Sequence, residues 1–292
     1  MTNRTGSWVA MFILAVLTAT AAAQAASEAA QSPPKVLIVS RELLKPGKGG
    51  SPHEKTESAF VQAFAAAKWP THYLGTDAMT GPARSVFFIG YDSFDAWGKD
   101  TNATFANATL AAALDRAIIA DGELLSGFES SAFVYREDLS YKPNVDIGTM
   151  RYFEVIRFKA RPGHEMEWES LAKMYVENYG KADPNAHWAT YQAVFGSGSG
   201  GVYAVFVPMK SLAEVDSGMA ADAKFAQALG ESGMKKMADL TASSTESTET
   251  SLLAFNPKIS YPPDPWVKSD PTFWKPKASA ATAKKPEAKP SQ

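Results

Sequence analysis

Arg157-Phe-Lys-Ala-Arg-Pro-Gly-His-Glu165 follows an apolar run and precedes a helical pattern, and the chain contains it twice. The earlier version reads Arg41-Glu-Leu-Leu-Lys-Pro-Gly47, then five extra residues from Lys48 to Pro52, then His53-Glu54. Laid on each other, the two stretches bring much of the chain into step. Pro46-Gly47 meets Pro162-Gly163 at an offset of 116, and His72 meets His187 and Gly81 meets Gly196 at 115. Ser93 meets Ser211 at 118, while Phe105 meets Phe225 and Ser140-Tyr141 meets Ser260-Tyr261 at 120. A slow drift of this kind is what small loop insertions in a duplicated unit produce. The period exceeds that of solenoid repeats, so each copy is a supersecondary domain.

Working outward, Val36–Leu44 reads as a strand, His53–Trp69 as a helix stopped by Pro70, and His72–Thr80 and Ser85–Tyr91 as strands. Glu54 and Glu57 suit the N-terminal end of that helix. Ser93–Gly98 reads as a short helix, Phe105–Leu125 as a long one, and Ser131–Glu137 as a fourth strand. Tyr141–Met150, with Pro143 and Gly148, is a linker. The second copy repeats the order: strand Arg151–Lys159, helix His164–Tyr179, strand His187–Phe195, turn Gly196–Gly201 and strand Val202–Pro208. Helices over Ser211–Ser217 and Phe225–Leu240 and a strand over Ser251–Phe255 complete it. Each unit is thus β-α-β-β-α-β with an added short helix, the ferredoxin-like order. Val86-Phe-Phe-Ile89 and Tyr203-Ala-Val-Phe-Val207 lack polar alternation, so both faces of these strands are expected to be covered. Helices cover one face; the sister unit's sheet covers the other.

The sequence resembles the dimeric α/β-barrel superfamily, near its antibiotic-biosynthesis-monooxygenase-like and NIPSNAP-like members. The residues carrying the resemblance are Pro162-Gly-His-Glu165, His187-Trp-Ala-Thr-Tyr191, and their counterparts at 46–54 and 72–76. It implies an α+β fold: two tandem ferredoxin-like units packed sheet to sheet as an intramolecular barrel. The units cover 35–141 and 151–261, joined by a linker at 142–150. It also implies a ligand pocket between sheet and helices. Relatives of the chlorite dismutase type bind haem through a His on a helix of the C-terminal half. No His follows His187 here, so no haem is expected.

The 292-residue chain has no cysteine, which excludes disulfides, thiolate zinc sites and cysteine nucleophiles. Arg4, the apolar run Val9–Leu17 and Ala23-Gln-Ala25 form a secretory signal pattern over residues 1–25, with a periplasmic or secreted product expected. That run is short for a span, which needs about 20 apolar residues; an uncleaved N-terminal anchor is the alternative reading, and no other integral membrane span is read. Net charge is −2. Arg4 is the one charge in 1–25, and 275–292 carry five Lys and one Glu, which leaves −7 on 26–274. An acidic body argues against nucleic acid as partner. The tail 262–292 is rich in Pro, Lys and Ala and is expected to be mostly disordered, with Trp266, Phe273 and Trp274 pinning its first part to the barrel.

All four histidines fall at positions shared by both units. His53 and His164, beside the Pro-Gly turns, are expected to be wet. His72 and His187 open the second strands, where imidazole serves as a proton acceptor or a backbone-bonded strand end. They are the candidate catalytic residues. Arg41 and Arg157 sit inside apolar strands and need a partner such as Glu154, Asp77 or a ligand carboxylate. Arg41, Arg157, Tyr191 and Glu154 are the candidate ligand-binding residues. Tyr191 shares a strand face with His187, and its match in the first unit is Thr76, so one competent site is expected in the C-terminal half. Gly196–Gly201 lacks the Lys and helix of a phosphate loop, and His164-Glu165 lacks the second His of a zinc-protease helix. No metal set and no cofactor is read. The expected partner is a small molecule, partly apolar and anionic, with a second copy of the chain also open. An exported binding protein is the leading expectation. A cofactor-independent monooxygenase or isomerase, or a non-catalytic envelope assembly protein, are the alternatives.

Overall fold

Eight antiparallel strands close into a barrel in the computed structural model, which describes residues 32–197 and 201–275. The strands are β1 (Val36–Leu44), β2 (Tyr73–Ala78), β3 (Arg84–Tyr91), β4 (Leu125–Tyr135), β5 (Tyr152–Ala160), β6 (Ala189–Phe195), β7 (Val202–Met209) and β8 (Thr245–Phe255). Around the barrel they run β1-β3-β2-β8-β5-β7-β6-β4. Each unit therefore forms a four-stranded sheet of its own, β4-β1-β3-β2 and β8-β5-β7-β6. The edges of one pair with the edges of the other through β2–β8 and β4–β6. Closure pairs the sheet edges over these registers, while the leading halves of β4 and β8 are laddered on one side only, to β1 and β5. The two tandem ferredoxin-like units thus make one intramolecular barrel.

The helices are α1 (Ser51–Ala67), α2 (Phe94–Ala106), α3 (Ala108–Gly122), α4 (Glu165–Ala182), α5 (Ala213–Ser244) and the short α6 (Asp264–Ser269) and α7 (Pro271–Trp274). Strand alternation divides the apolar residues as expected. Leu37, Val39, Val86, Phe88, Phe153, Phe206 and Phe255 fill the barrel lumen. Phe87 faces α1, and Tyr203 stacks on Trp168 of α4 at 3.9 Å. Phe88, Phe153 and Phe206 meet edge to face at 5.6–5.8 Å, a geometry that aromatic quadrupoles favour.

The repeat is visible in backbone detail. Gly47 and Gly163 both turn with positive φ, at 75° and 83°. A Cβ is strained there, which is why the Pro-Gly pair recurs. Tyr261 bridges to Tyr73 and Tyr141 bridges to Trp188, so the end of each unit clasps the second strand of the other. Ser260 Oγ accepts from Gly75 N, and Ser140 Oγ from Thr190 N, both at 2.9 Å.

Several boundaries differ from the sequence expectation. β4 and β8 begin six residues earlier than their apolar portions, at Leu125 and Thr245. Their leading segments, such as Thr245-Glu-Ser-Thr-Glu-Thr250, are polar and carry no hydrophobic period. Ladder bonds to β1 and β5 hold them. Helix α2 extends to Ala106, and Asn107 caps α3 by accepting from Leu110 N. The two helices expected over 211–240 are continuous in sequence as α5, interrupted at Gly230 with φ 66°. Trp274 packs in the core against Phe255 and donates its indole N–H to Gly148 O at 2.7 Å, so the first part of the tail caps one barrel mouth. The expected signal segment 1–25, residues 198–200 of the expected turn and the tail beyond 275 lie outside the described residues.

Candidate functional site

A cavity of about 510 Å³ enters the lumen at the mouth formed by the starts of β1, β2, β5 and β6. Its floor is Leu37, Leu74, Phe88, Phe153 and Phe206. Its rim includes His72, His187, Tyr91, Asp92 and Trp266. Both units line it, so the expectation of one site confined to the C-terminal half gives way to one shared cavity. It lies at the barrel mouth rather than between sheet and helices.

His72 stacks on Tyr261 at 4.6 Å, and its Nδ1 lies 3.2 Å from Tyr261 O. A carbonyl oxygen only accepts, so Nδ1 carries the hydrogen and Nε2 of the neutral ring keeps a lone pair. Burial lowers the His72 pKa below the ordinary imidazole value, which favours that neutral form. His187 is held differently. Its Nδ1 is 2.8 Å from Asn185 O and its Nε2 is 2.7 Å from Pro208 O. Both nitrogens lie against carbonyl oxygens, so neither is open to a substrate proton. Tyr191 is buried in the lumen and donates to Pro34 O at 3.0 Å, and burial raises its phenol pKa well above the ordinary value.

Arg41 and Arg157 do not join this group. Each lies four residues along its strand from the cavity floor at Leu37 and Phe153, roughly 13 Å at strand rise. They face the lumen near the opposite mouth, with Arg84. Arg41 pairs with Glu129 at 3.7 Å, while Arg84 donates to Ser251 Oγ at 2.5 Å and to Glu249 at 3.3 Å. Burial and then the neighbouring Arg157 lower the Arg41 pKa. Among the described residues Arg157 has no carboxylate within 4 Å; Glu249 is its register neighbour on β8. Glu154, expected as a partner for Arg157, alternates to the outer face. Burial and then Asp222 raise its carboxyl pKa. The site of His187 beside Arg157 envisaged from sequence is therefore not assembled.

A second constellation lies between sheet and helices of the first unit. His53, expected to be wet, is 1% exposed. Its Nε2 is 2.9 Å from Glu42 Oε2, 3.5 Å from Asp121 Oδ1 and 4.0 Å from Glu57 Oε1. Ligand atoms of all four residues lie within 4.8 Å of one another. Burial, then Glu42 and Asp121, push the Glu57 carboxyl up to about 10. Burial opposes charge on His53, but the Glu42 hydrogen bond and Asp121 outweigh it and raise the imidazole. His164, the counterpart, is exposed and bonds Glu167 at 2.8 Å, as expected of a turn-flanking residue.

No protein-family model matches the sequence, and no curated protein does. Solved structures do. A monooxygenase candidate from Fusobacterium nucleatum subsp. nucleatum superposes with TM-score 0.51 at 11% identity, covering 77% of this chain and 94% of that one. An anthrone oxidase-like protein gives TM-score 0.53 at 11% identity, covering 78% and 93%. The chain has the dimeric α/β-barrel fold. At this identity the likeness speaks to the barrel alone.

In that barrel, the buried cluster is what sequence reasoning missed. The local signals were a His-x-x-x-Glu pair at 53 and 57 on one helix face, and a Glu at an outward position of a strand otherwise apolar there (Val36, Ile38). Glu57 reads equally well as a helix-terminus charge, and Asp121 lies 64 residues further on. Only the packing of α1 and α3 on β1 brings the four together.

Proposed function

We propose that the chain binds a small, partly apolar molecule in the cavity at the His72 mouth. The observation that carries this reading is the cavity itself: an aromatic and aliphatic floor under a rim with few polar groups, the general build of a small-molecule site. Trp188 and Trp266 line it and report on occupancy. Titration with a fused-ring aromatic ketone such as anthrone should quench their emission saturably. Ala189→Phe, which fills the cavity, should weaken binding at least tenfold. An unchanged spectrum to the solubility limit, together with a bare mass for the chain from its own host, would refute the reading.

A catalytic version rests on His72. A neutral imidazole with Nε2 as acceptor at a cavity rim is placed to take a proton from an acidic C–H or O–H group. The names of the two barrel neighbours, a monooxygenase candidate and an anthrone oxidase-like protein, point toward oxidation of such a molecule. His72→Asn should then abolish dioxygen uptake while leaving ketone binding intact; equal loss of both would make His72 a binding residue only. Export is part of the proposal, resting on the pattern in residues 1–25. N-terminal sequencing of the protein from its host's envelope fraction should begin at residue 26.

A further inference from the structure

We propose that Glu42, His53, Glu57 and Asp121 form a binding site for one divalent first-row transition-metal ion, separate from the barrel cavity. Four ligands at about 2.1 Å from an ion in tetrahedral array stand about 3.4 Å apart. The distances from His53 Nε2 to the three carboxylates, 2.9, 3.5 and 4.0 Å, bracket that spacing.

Hydrogen bonding makes the same point independently. Ser85 Oγ donates to Asp77 Oδ1 at 2.6 Å, so toward His53 Nδ1, 3.3 Å away, it accepts. Nδ1 therefore carries a hydrogen, and Nε2 points at three acidic side chains, 2.9 Å from Glu42 Oε2. Without a metal a second ring proton holds that contact; a divalent cation can take its place with the ring nitrogen and the carboxylates as ligands. An imidazole whose far nitrogen is oriented through a hydroxyl onto a carboxylate is the usual outer support of a metal ligand. Glu57 Oε1 is buried with no hydrogen-bond partner, and the residue is 3% exposed. Buried carboxylate oxygens are rarely left so, and a cation supplies the missing partner.

The duplicated unit shows that the fold does not require polar groups here. Strand and helix registers place Phe158, Trp168 and Tyr203 where the first unit has Glu42, Glu57 and Ser85. That niche is closed by the Trp168–Tyr203 stack. One imidazole and three carboxylates, without sulfur, suit Mn²⁺, Fe²⁺ or Zn²⁺. Four residues including a nitrogen donor do not make the six to eight oxygens that Ca²⁺ takes. Glu42 keeps slight solvent contact, 11% for its side chain, and marks the entry.

The test is calorimetric titration of the chelator-stripped full chain with MnCl₂ and with ZnCl₂, checked by native mass spectrometry. One ion per chain is expected. Glu57→Gln and Asp121→Asn should each weaken binding at least a hundredfold, while Glu246→Gln on the far strand should not. Co²⁺ loaded into the unmutated chain should show visible bands distinct from the aquo ion, which decides the matter if a variant fails to fold. A stripped, folded chain that takes up neither ion at millimolar concentration overturns the proposal. So does a folded Glu57→Gln variant that binds as tightly as the parent, or an aquo-like Co²⁺ spectrum.

Discussion

Glu57→Gln in the metal-free protein should increase stability at neutral pH, although it removes a buried charge-bearing group. Folded, Glu57 holds its proton up to about pH 10; unfolded, it releases it near 4.5. A carboxyl raised on folding contributes stability that is fully present below the unfolded value and is lost as pH rises toward the folded one. At pH 7 the folded state retains a proton that the unfolded chain has given up over 2.5 pH units, a cost of about 3 kcal/mol. Glutamine keeps the shape and neutrality without that cost. Urea unfolding in the presence of chelator should therefore show parent and variant equal near pH 4. The variant should be ahead by up to about 3 kcal/mol at pH 7, with the gap widening by about 1.4 kcal/mol per unit to pH 9. Glu42 and His53 also titrate upward, so the difference between the two proteins, not the parent's slope, isolates Glu57. A variant that is less stable at pH 7, or a gap that does not change with pH, would refute the reasoning.

Three further outcomes follow from packing and charge. Trp274→Ala should cost about 3–5 kcal/mol in chemical unfolding, because it empties a core position and leaves Gly148 O without its indole donor; a loss under 1 kcal/mol would show that the C-terminal cap is not part of the core. Arg157→Met should be neutral or stabilising at low salt, since it relieves the charge that depresses Arg41, and its advantage should shrink in 1 M salt; a salt-independent loss would mean that Arg157 has a partner. Glu129→Gln should change stability by no more than about 1 kcal/mol, as expected of a pair whose acid is 60% exposed, and thermal melts of the variant check this.

Legibility in the sequence followed how local each signal was. β1 runs over Val36–Leu44 as read, because an apolar run ended by Pro-Gly needs no information from elsewhere. The tandem units followed from matched turns and histidines. The barrel followed from strands with two apolar faces. The leading halves of β4 and β8 escaped because their order comes from the neighbouring strand rather than from their own polar side chains.

The sequence by itself determined the repeat, the order of elements and the pairing of two sheets, since periodicity and turn chemistry are written within a few residues of where they act. Tertiary structure alone decided that the cavity spans both units, that four strand residues keep Arg157 away from His187, and that His53 is buried rather than wet. It also decided that residues 42, 53, 57 and 121 meet. Convergence of that kind depends on how α1 and α3 seat against the sheet, and a side chain's spacing along the chain carries no record of it.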